Sequence, residues 1–283
     1  MIMTGRQYVE SASMSSANIH AFIQAVKSHN RAKYPGVDRS RTLVYQRLKD
    51  PTETDRLNRL RAAWATEIQA EDYERHMARV GQAQANAQLV ADWLCYKPPK
   101  LNASILFAGA GTGQMFDFLP PEILAAYRVT FTDINPSYLK ILESRLKDKR
   151  DRLRFRVVVD DVERSKLSAD FALVIVVLVL EHVDWRLAVA SLCRLSTGNV
   201  FVVIQENPTN SHEAVNDNQP LLRTMKIFRE TPPRLLNRRG LIQEFNRQKL
   251  ALVYSQEKKV LDGKKMVGLG FRKKTQRSRR RLI

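Results

Sequence analysis

The sequence predicts an α/β fold in which a helical N-terminal extension precedes a seven-stranded, mostly parallel sheet with a C-terminal antiparallel hairpin. Three observations predict it. Apolar residues recur at helical spacing through much of residues 1–98, and short apolar strands alternate with helices from Ser104 onward. Near the C-terminus, two strand-like segments flank an Asp-Gly pair. We therefore divide the chain into an extension (1–98), a main domain (99–274) and a basic tail (275–283).

The extension is predicted to be helical because its apolar residues recur every three or four positions. Ala21–Lys27 and Leu57–Ile68 show this spacing, and Glu71–Tyr96 continues it. Turn-forming residues interrupt the pattern at Tyr34-Pro35-Gly36 and Asp50-Pro51, and Lys97-Pro98-Pro99-Lys100 ends it. The last of these is the predicted domain boundary.

The main domain is predicted to hold five parallel strands and then an antiparallel pair. The five strands are Ser104–Ala108, Arg128–Thr132, Leu153–Val159, Phe171–Val177 and Asn199–Ile204. Helices are expected at Pro136–Lys149 and Trp185–Leu195, so the connections between strands should be right-handed crossovers. Leu250–Lys259 and Lys264–Phe271 form the predicted hairpin around Leu261-Asp262-Gly263.

A glycine-rich turn follows the first strand. Gly109, Gly111 and Gly113 stand at alternate positions, where glycine allows a tight turn and a close approach to a ligand. The dinucleotide fingerprint G-x-G-x-x-G would need glycine or alanine at position 114, which is Gln114 here. The pattern therefore favours a nucleoside ligand other than NAD or FAD.

Acidic residues follow the second and third strands, at the sheet edge where ligands bind in open α/β folds. Asp133 comes 24 residues after Gly109 and can accept hydrogen bonds from both hydroxyls of a ribose. Asp160 and Asp161 follow the third strand, where an acid can accept a hydrogen bond from an adenine amino group. Two alternatives stay open: Asp133 could cap the following helix, and the Asp pair could be turn residues.

Four segments in this order resemble the class I S-adenosylmethionine-dependent methyltransferases. They are ILFAGAGTGQ, VTFTDINPSYL, VVVDDVE and DFALVIVVLVLEHVDW. The resemblance covers roughly residues 101–274 and implies a Rossmann-like sheet, S-adenosyl-L-methionine as cofactor and methyl transfer as activity. The L-E-H-V ending of the fourth strand, and the absence of a motif for amino methylation of nucleic acids, favour a small or medium-sized acceptor.

The resemblance also implies roles for individual residues. The methionine and ribose portions of the cofactor would lie against Gly109, Ala110, Gly111 and Gly113, and the rest of the set would be Asp133 on the ribose, Ile134 on the adenine, Asp161 and Val162 at the adenine edge, Val177 and Leu178 under the sulfonium, and Tyr73 closing over the cofactor. No metal is implied. If the acceptor loses a proton, His182 is the candidate base, because imidazole titrates near neutrality. A structural role for His182 is the alternative, and Glu181 is expected to be solvated or helix-capping.

One position departs from the family pattern. Relatives often carry Asp or Glu two residues before the first glycine, where it helps to hold the amino group of the cofactor, and this chain has Phe107. The difference leaves open a protein that keeps the fold as a non-catalytic interaction module.

The charge of the chain favours a polyanionic partner. The formal net charge is +18, and residues 271–283 carry seven basic residues and no acidic ones. A methyltransferase acting on RNA or associated with ribosomes is therefore the second interpretation, and a solvated basic surface is the alternative. Two cysteines and an N-terminus with no apolar core segment predict a cytoplasmic protein, and the longest apolar run, 10 residues, predicts no membrane span.

Overall fold

The computed structural model describes residues 53–149, 151–208 and 221–274. The chain divides into two compact units after Asp55, and the contacts, cavities and site described below belong to the second unit, which begins at Arg56. The predicted helix at Ala21–Lys27 and the predicted basic tail lie outside the described residues. The division into an extension, a main domain and a tail therefore stays a prediction.

A single seven-stranded sheet organises this unit, with the strands in the order β3-β2-β1-β4-β5-β7-β6. The strands are β1 (Ser104–Ala108), β2 (Arg128–Asp133), β3 (Arg154–Val159), β4 (Phe171–Val177), β5 (Ser196–Glu206), β6 (Leu250–Lys259) and β7 (Lys265–Lys273). Strands β1 to β5 pair in parallel, and β7 runs antiparallel to both β5 and β6. The predicted fold class is confirmed, and the strand order reverses between β1 and β4, where open sheets bind ligands.

Helices cover both faces of the sheet. They are α1 (Glu53–Ala62), α2 (Ala70–Val80), α3 (Gln82–Tyr96), α4 (Glu122–Ala125), α5 (Pro136–Arg145), α6 (Trp185–Leu195), α7 (Ile227–Glu230) and α8 (Arg238–Arg247). A π-helical turn, Ala63–Glu67, extends α1. Within the described parts of the chain, no helix combines the length and the apolar character that crossing a bilayer requires.

Three predicted helices have different bounds in the structure; the first, Leu57–Ile68, is α1 (Glu53–Ala62) with its π-helical turn (Ala63–Glu67). The segment Glu71–Tyr96 is two helices, because Gly81 adopts a left-handed conformation (φ +65°) that ends α2 and begins α3. The helix that starts at Pro136 ends at Arg145 and is followed by a separate turn at Lys147–Lys149. A single glycine inside an apolar pattern does not show from sequence alone whether the helix continues through it.

Helix α3 is fixed against the antiparallel half of the sheet by a buried tryptophan. Trp93 is fully buried and stacks on Phe201 of β5, with ring centroids 5.3 Å apart and planes 9° from parallel. A Cβ atom at Gly270 of β7 would lie 2.2 Å from the Trp93 ring, so only glycine lets the ring approach this closely. On the opposite face, α6 and α8 pack through residues such as Leu192 and Phe245.

Candidate active site

A cleft of about 690 Å³ opens at the carboxyl ends of β1, β2 and β4. Ten of the predicted site residues line it: Tyr73, Gly109, Gly111, Asp133, Ile134, Asp161, Val162, Val177, Leu178 and His182. The other two, Ala110 and Gly113, line an adjoining cavity of about 510 Å³ that shares Tyr73, Gly109, Val177 and Leu178 with the cleft. The structure thus brings the whole predicted set to one edge of the sheet.

The turn after β1 requires its glycines. Gly109, Gly111 and Gly113 all adopt left-handed conformations, with φ values of +68°, +59° and +82°. A Cβ atom at Gly109 would lie 2.4 Å from Val179 Cγ2, so the turn also lacks room for a side chain there. The structure after the turn is one 3₁₀ turn, Gln114–Asp117, and not the start of a longer helix.

Asp133 holds the glycine turn in place. Its Oδ2 accepts a hydrogen bond from the Gly111 N–H at 2.9 Å, and its Oδ1 accepts one from the Asn135 N–H at 2.9 Å. The alternative role as a helix cap is wrong, because Asn135 caps α5 by accepting hydrogen bonds from the N–H groups of Ser137 and Tyr138. Burial raises the pKa of the Asp133 carboxyl, and these backbone N–H groups oppose that shift.

The acidic pair after β3 faces an arginine that we did not single out from the sequence. Arg61 of α1 approaches Asp161 Oδ2 at 2.6 Å and Glu163 Oε2 at 2.8 Å, and Arg61, Asp160 and Asp161 all line the cleft. Asp160 Oδ1 accepts a hydrogen bond from the Lys166 N–H at 3.1 Å, and Asp161 Oδ1 accepts one from the Glu163 N–H at 3.0 Å. Both acids therefore make turn contacts as well as facing the cleft.

Val177 and Leu178 form one wall of the cleft at the end of β4. Leu178 has a positive φ of +54°, which is uncommon for a residue other than glycine, and its N–H donates to the Val203 carbonyl at 2.9 Å. Such strained backbone is found where a site over-determines it. The turn leads directly into a 3₁₀ turn at Leu180–His182.

Aromatic side chains from the extension cover the cleft. Tyr73 stacks on Tyr138 with ring centroids 5.6 Å apart, and its edge meets Trp64 at 5.5 Å. A Cβ atom at Gly111 would lie 3.4 Å from Tyr73 Oη, so the phenol lies directly over the glycine turn. The π-helical turn that extends α1 places Trp64 here. From the sequence, the apolar spacing around Trp64 indicated only that it lies on the apolar face of a helix.

A second chamber of about 670 Å³ adjoins the cleft and shares Trp64, Tyr73, Leu178 and His182 with it. Its remaining walls are His76, Met77, Val80, Gln82, Glu181, Gln205, Met225, Phe228, Pro233 and Lys264. The chamber is mostly apolar and aromatic, with a few polar groups. This is the composition of a small-molecule binding site.

Glu181 is buried in the wall of this chamber, so the expectation of a solvated or capping side chain was wrong. It is 4% exposed, and its Oε1 accepts a hydrogen bond from the Gln205 N–H at 3.0 Å. Its Oε2 is buried and has no hydrogen-bond partner among the described residues. Burial raises the pKa of the Glu181 carboxyl to about 7.

His182 is a buried aromatic contact as well as a cleft residue. Its ring lies 4.9 Å from Trp64 and 5.7 Å from Phe228, measured between centroids. Burial lowers the pKa of the imidazole to about 3, and the charge of Arg56 adds to the shift. The ring is therefore neutral at physiological pH.

Phe107 belongs to an aromatic cluster under the glycine turn. Its ring centroid lies 5.1 Å from that of Phe116 and 5.4 Å from that of Phe131, and it is 3% exposed. The position where relatives often carry an acid is thus part of the hydrophobic core.

Residues 105–197 match the model of a family described as a methyltransferase domain. This range begins in β1 and ends in the first residues of β5, so it includes the glycine turn, Asp133, the acidic pair and the segment after β4. No curated protein matches the chain by sequence.

Solved structures of methyltransferases share the fold at low sequence identity. Magnesium protoporphyrin IX methyltransferase from Synechocystis PCC 6803, with bound S-adenosylmethionine, is 13% identical with a TM-score of 0.54, over 85% of this chain and 100% of that one. A geranyl diphosphate methyltransferase is 13% identical with a TM-score of 0.51, over 68% and 85%. Phosphoethanolamine N-methyltransferase 2 from Haemonchus contortus is 12% identical with a TM-score of 0.51, over 66% and 52%.

Proposed function

We propose that the protein is a class I methyltransferase that transfers a methyl group from S-adenosyl-L-methionine to a small or medium-sized acceptor, since residues 105–197 match a methyltransferase-domain model. One observation carries the proposal: a single cleft at the switch in strand order unites the glycine turn, a strand-end carboxylate and an apolar wall. The methionine portion, the ribose and the sulfonium of the cofactor would meet these three surfaces in turn.

The cofactor fits the residues that line the cleft. Gly109, Ala110, Gly111 and Gly113 would contact its methionine and ribose portions, Asp133 would accept from the ribose hydroxyls, and Ile134, Asp161 and Val162 would surround the adenine. Asp133 already accepts a hydrogen bond from Gly111, so the carboxylate and the turn are positioned as one unit. Arg61 fixes Asp161 at the edge of the same cleft. When bound, the cofactor supplies an electrophilic methyl group on a sulfonium.

The protein's main contribution to the reaction is positioning. The leaving group is a neutral thioether and needs no acid, so holding the acceptor in line with the methyl group supplies most of the acceleration. The cleft and the second chamber meet at Leu178, which lines both. The acceptor would occupy that chamber and meet the methyl group there.

Two adjacent residues can receive a proton from the acceptor. His182 is neutral at physiological pH and can accept one, although its lowered pKa makes it a weak base. Glu181 lines the chamber next to it, and its pKa of about 7 suits a general base near neutral pH. In a turnover assay, His182→Ala with an unchanged rate would exclude His182 as the base.

Acceptor size is supported by the chamber and by the related structures. The lining of this chamber is mostly apolar and aromatic with a few polar groups, as in small-molecule binding sites. The names of the related structures include acceptors of this kind, namely a porphyrin, geranyl diphosphate and phosphoethanolamine.

Titration calorimetry with S-adenosylhomocysteine tests cofactor binding. We expect the wild type to bind, and we expect Asp133→Asn to bind roughly tenfold to a hundredfold more weakly because it loses hydrogen bonds to a charged acceptor. Asp148→Asn is the matched control, since Asp148 is exposed and lines neither cavity of the site. A wild type that binds no S-adenosylhomocysteine would instead favour the non-catalytic interaction module.

A nucleic-acid acceptor is the second candidate, and the net charge of +18 favours it. Methyl transfer from labelled cofactor into total RNA, compared with transfer into a small-molecule extract, separates the two. Label in RNA that falls steeply with added salt would support an RNA or ribosome-associated enzyme. We place either enzyme in the cytoplasm and propose that the chain consists of a helical extension (1–98), a main domain (99–274) and a basic tail (275–283).

A further inference from the structure

The cavity beside the glycine turn lacks the acid that the family resemblance leads one to expect. It occupies about 510 Å³ and is lined by Gly109, Ala110 and Gly113 on one side and by Phe107 and Phe116 on another. None of the described residues that line it is an aspartate or a glutamate. If the methionine portion of the cofactor lies here, its ammonium group must find other acceptors.

Gln114, which lines this cavity, offers one such acceptor. Its Nε2 donates a hydrogen bond to the Glu74 carbonyl at 3.0 Å, which fixes the orientation of the amide. Its Oε1 is buried and has no hydrogen-bond partner among the described residues, although Gln114 lines the cavity. Gln114 is also the residue that breaks the G-x-G-x-x-G pattern, so this position has a polar group where a dinucleotide fold needs a small residue.

Asn86 supplies a second acceptor from the facing helix. It lies in α3, is 2% exposed and lines the same cavity. Its Oδ1 is likewise buried with no hydrogen-bond partner in the described parts of the chain. Buried polar atoms are nearly always hydrogen-bonded, so two unpartnered amide oxygens in one cavity indicate a ligand that donates hydrogen bonds.

We propose that the amide oxygens of Asn86 and Gln114 accept hydrogen bonds from the ammonium group of the cofactor's methionine portion and replace the acid that is absent at Phe107. This inference rests on the proposed function. An ammonium carries three N–H donors and no acceptor, which matches two carbonyl-type oxygens. The cavity would thus recognise the amino acid end of the cofactor with neutral dipoles in place of an ion pair.

Two ligands that differ at this end test the proposal. S-adenosylhomocysteine has the ammonium and carboxylate groups, and 5′-methylthioadenosine lacks both. For Asn86→Leu and for Gln114→Leu, we expect the Kd for S-adenosylhomocysteine to rise roughly tenfold or more, since hydrogen bonds to a charged group are lost. The Kd for 5′-methylthioadenosine should stay within about twofold of the wild-type value, a small change in free energy.

Asn199→Leu is the matched control. Asn199 is also an amide whose buried Oδ1 has no partner among the described residues, but it lies near the start of β5, away from the carboxyl ends of the strands that form the cleft. It should change neither affinity. Asn86→Asp provides a second measurement that does not depend on tolerating leucine, because a carboxylate there should bind S-adenosylhomocysteine at least as tightly as the wild type.

The outcomes separate this inference from the proposed function. If the wild type binds neither ligand, both fail. If it binds both ligands and the leucine variants weaken both equally, or weaken neither, the assignment of the ammonium to these two amides is wrong and cofactor binding stands. Weaker binding of S-adenosylhomocysteine by Asn86→Asp would also overturn it.

Discussion

Replacing Glu181 with glutamine should stabilise the protein relative to the wild type, and the gain in free energy of unfolding should be larger at alkaline than at acidic pH. Glu181 is buried, and only one of its carboxyl oxygens has a hydrogen-bond partner among the described residues. The charged carboxylate is therefore poorly compensated in the folded state. Glutamine has nearly the same shape, keeps an oxygen for the Gln205 N–H, and carries no charge at any pH.

The magnitude follows from the change in pKa on folding. The Glu181 pKa rises from 4.5 to about 7, so between these values the folded protein holds a proton that the unfolded chain releases. The favourable contribution of the protonated carboxyl is complete below pH 4.5, falls as pH rises, and is gone above about pH 7. At 1.36 kcal/mol per pKa unit, the whole change is about 3 kcal/mol.

Urea unfolding of the wild type and of Glu181→Gln from pH 5 to 8.5 measures this effect. The variant's free energy of unfolding, minus that of the wild type, should rise with pH and level off above about pH 7, as the titration of one group requires. His182 acts in the opposite direction, because its pKa is lowered to about 3 and its contribution is lost as pH falls below 6.5. Both proteins contain His182, so its effect cancels in the difference. A difference that is flat across this range would show that the Glu181 carboxyl is not buried as the structure places it.

Gly109→Ala would place a Cβ atom 2.4 Å from Val179 at a residue with a φ of +68°. We expect urea unfolding to show a free energy of unfolding lower by about 2 kcal/mol or more. The variant should also lose S-adenosylhomocysteine binding. Gly240→Ala, where an added Cβ meets nothing within 4 Å, should leave stability within about 1 kcal/mol of the wild type. Trp93→Ala removes the ring that stacks on Phe201 and should lower the free energy of unfolding by about 3 to 5 kcal/mol. A stable Trp93→Ala protein would mean that α3 is held by other contacts.

The strands and the order of site residues were predictable because they depend on local pattern. The run Phe171–Val177 is apolar throughout and becomes β4 with the same bounds, since a central parallel strand is buried on both faces. Asp133 follows β2 directly, so its position at the ligand edge of the sheet follows from topology. Local sequence is sufficient to place a residue at the ligand-binding edge when that residue directly follows a parallel strand.

Features that depend on packing between distant segments were not predictable. The ion pair between Arg61 and Asp161 joins residues a hundred positions apart, and neither residue's neighbours indicate the other. The residues next to Glu181 in the sequence do not indicate that its side chain is buried. It is buried because distant segments pack around the second chamber. The unpartnered oxygen of Asn86 likewise exists because α3 faces the glycine turn, which is a tertiary arrangement.

The close packing of the Trp93 ring against Gly270 has a consequence for the order in which the chain folds. β7 inserts between β5 and β6, and the two residues in contact are separated by most of the described sequence. A ribosome must therefore synthesise nearly all of these residues before α3 can dock, and contacts of such long sequence separation form slowly. Until then, the apolar residues of α3 lack the partners that bury them in the folded protein.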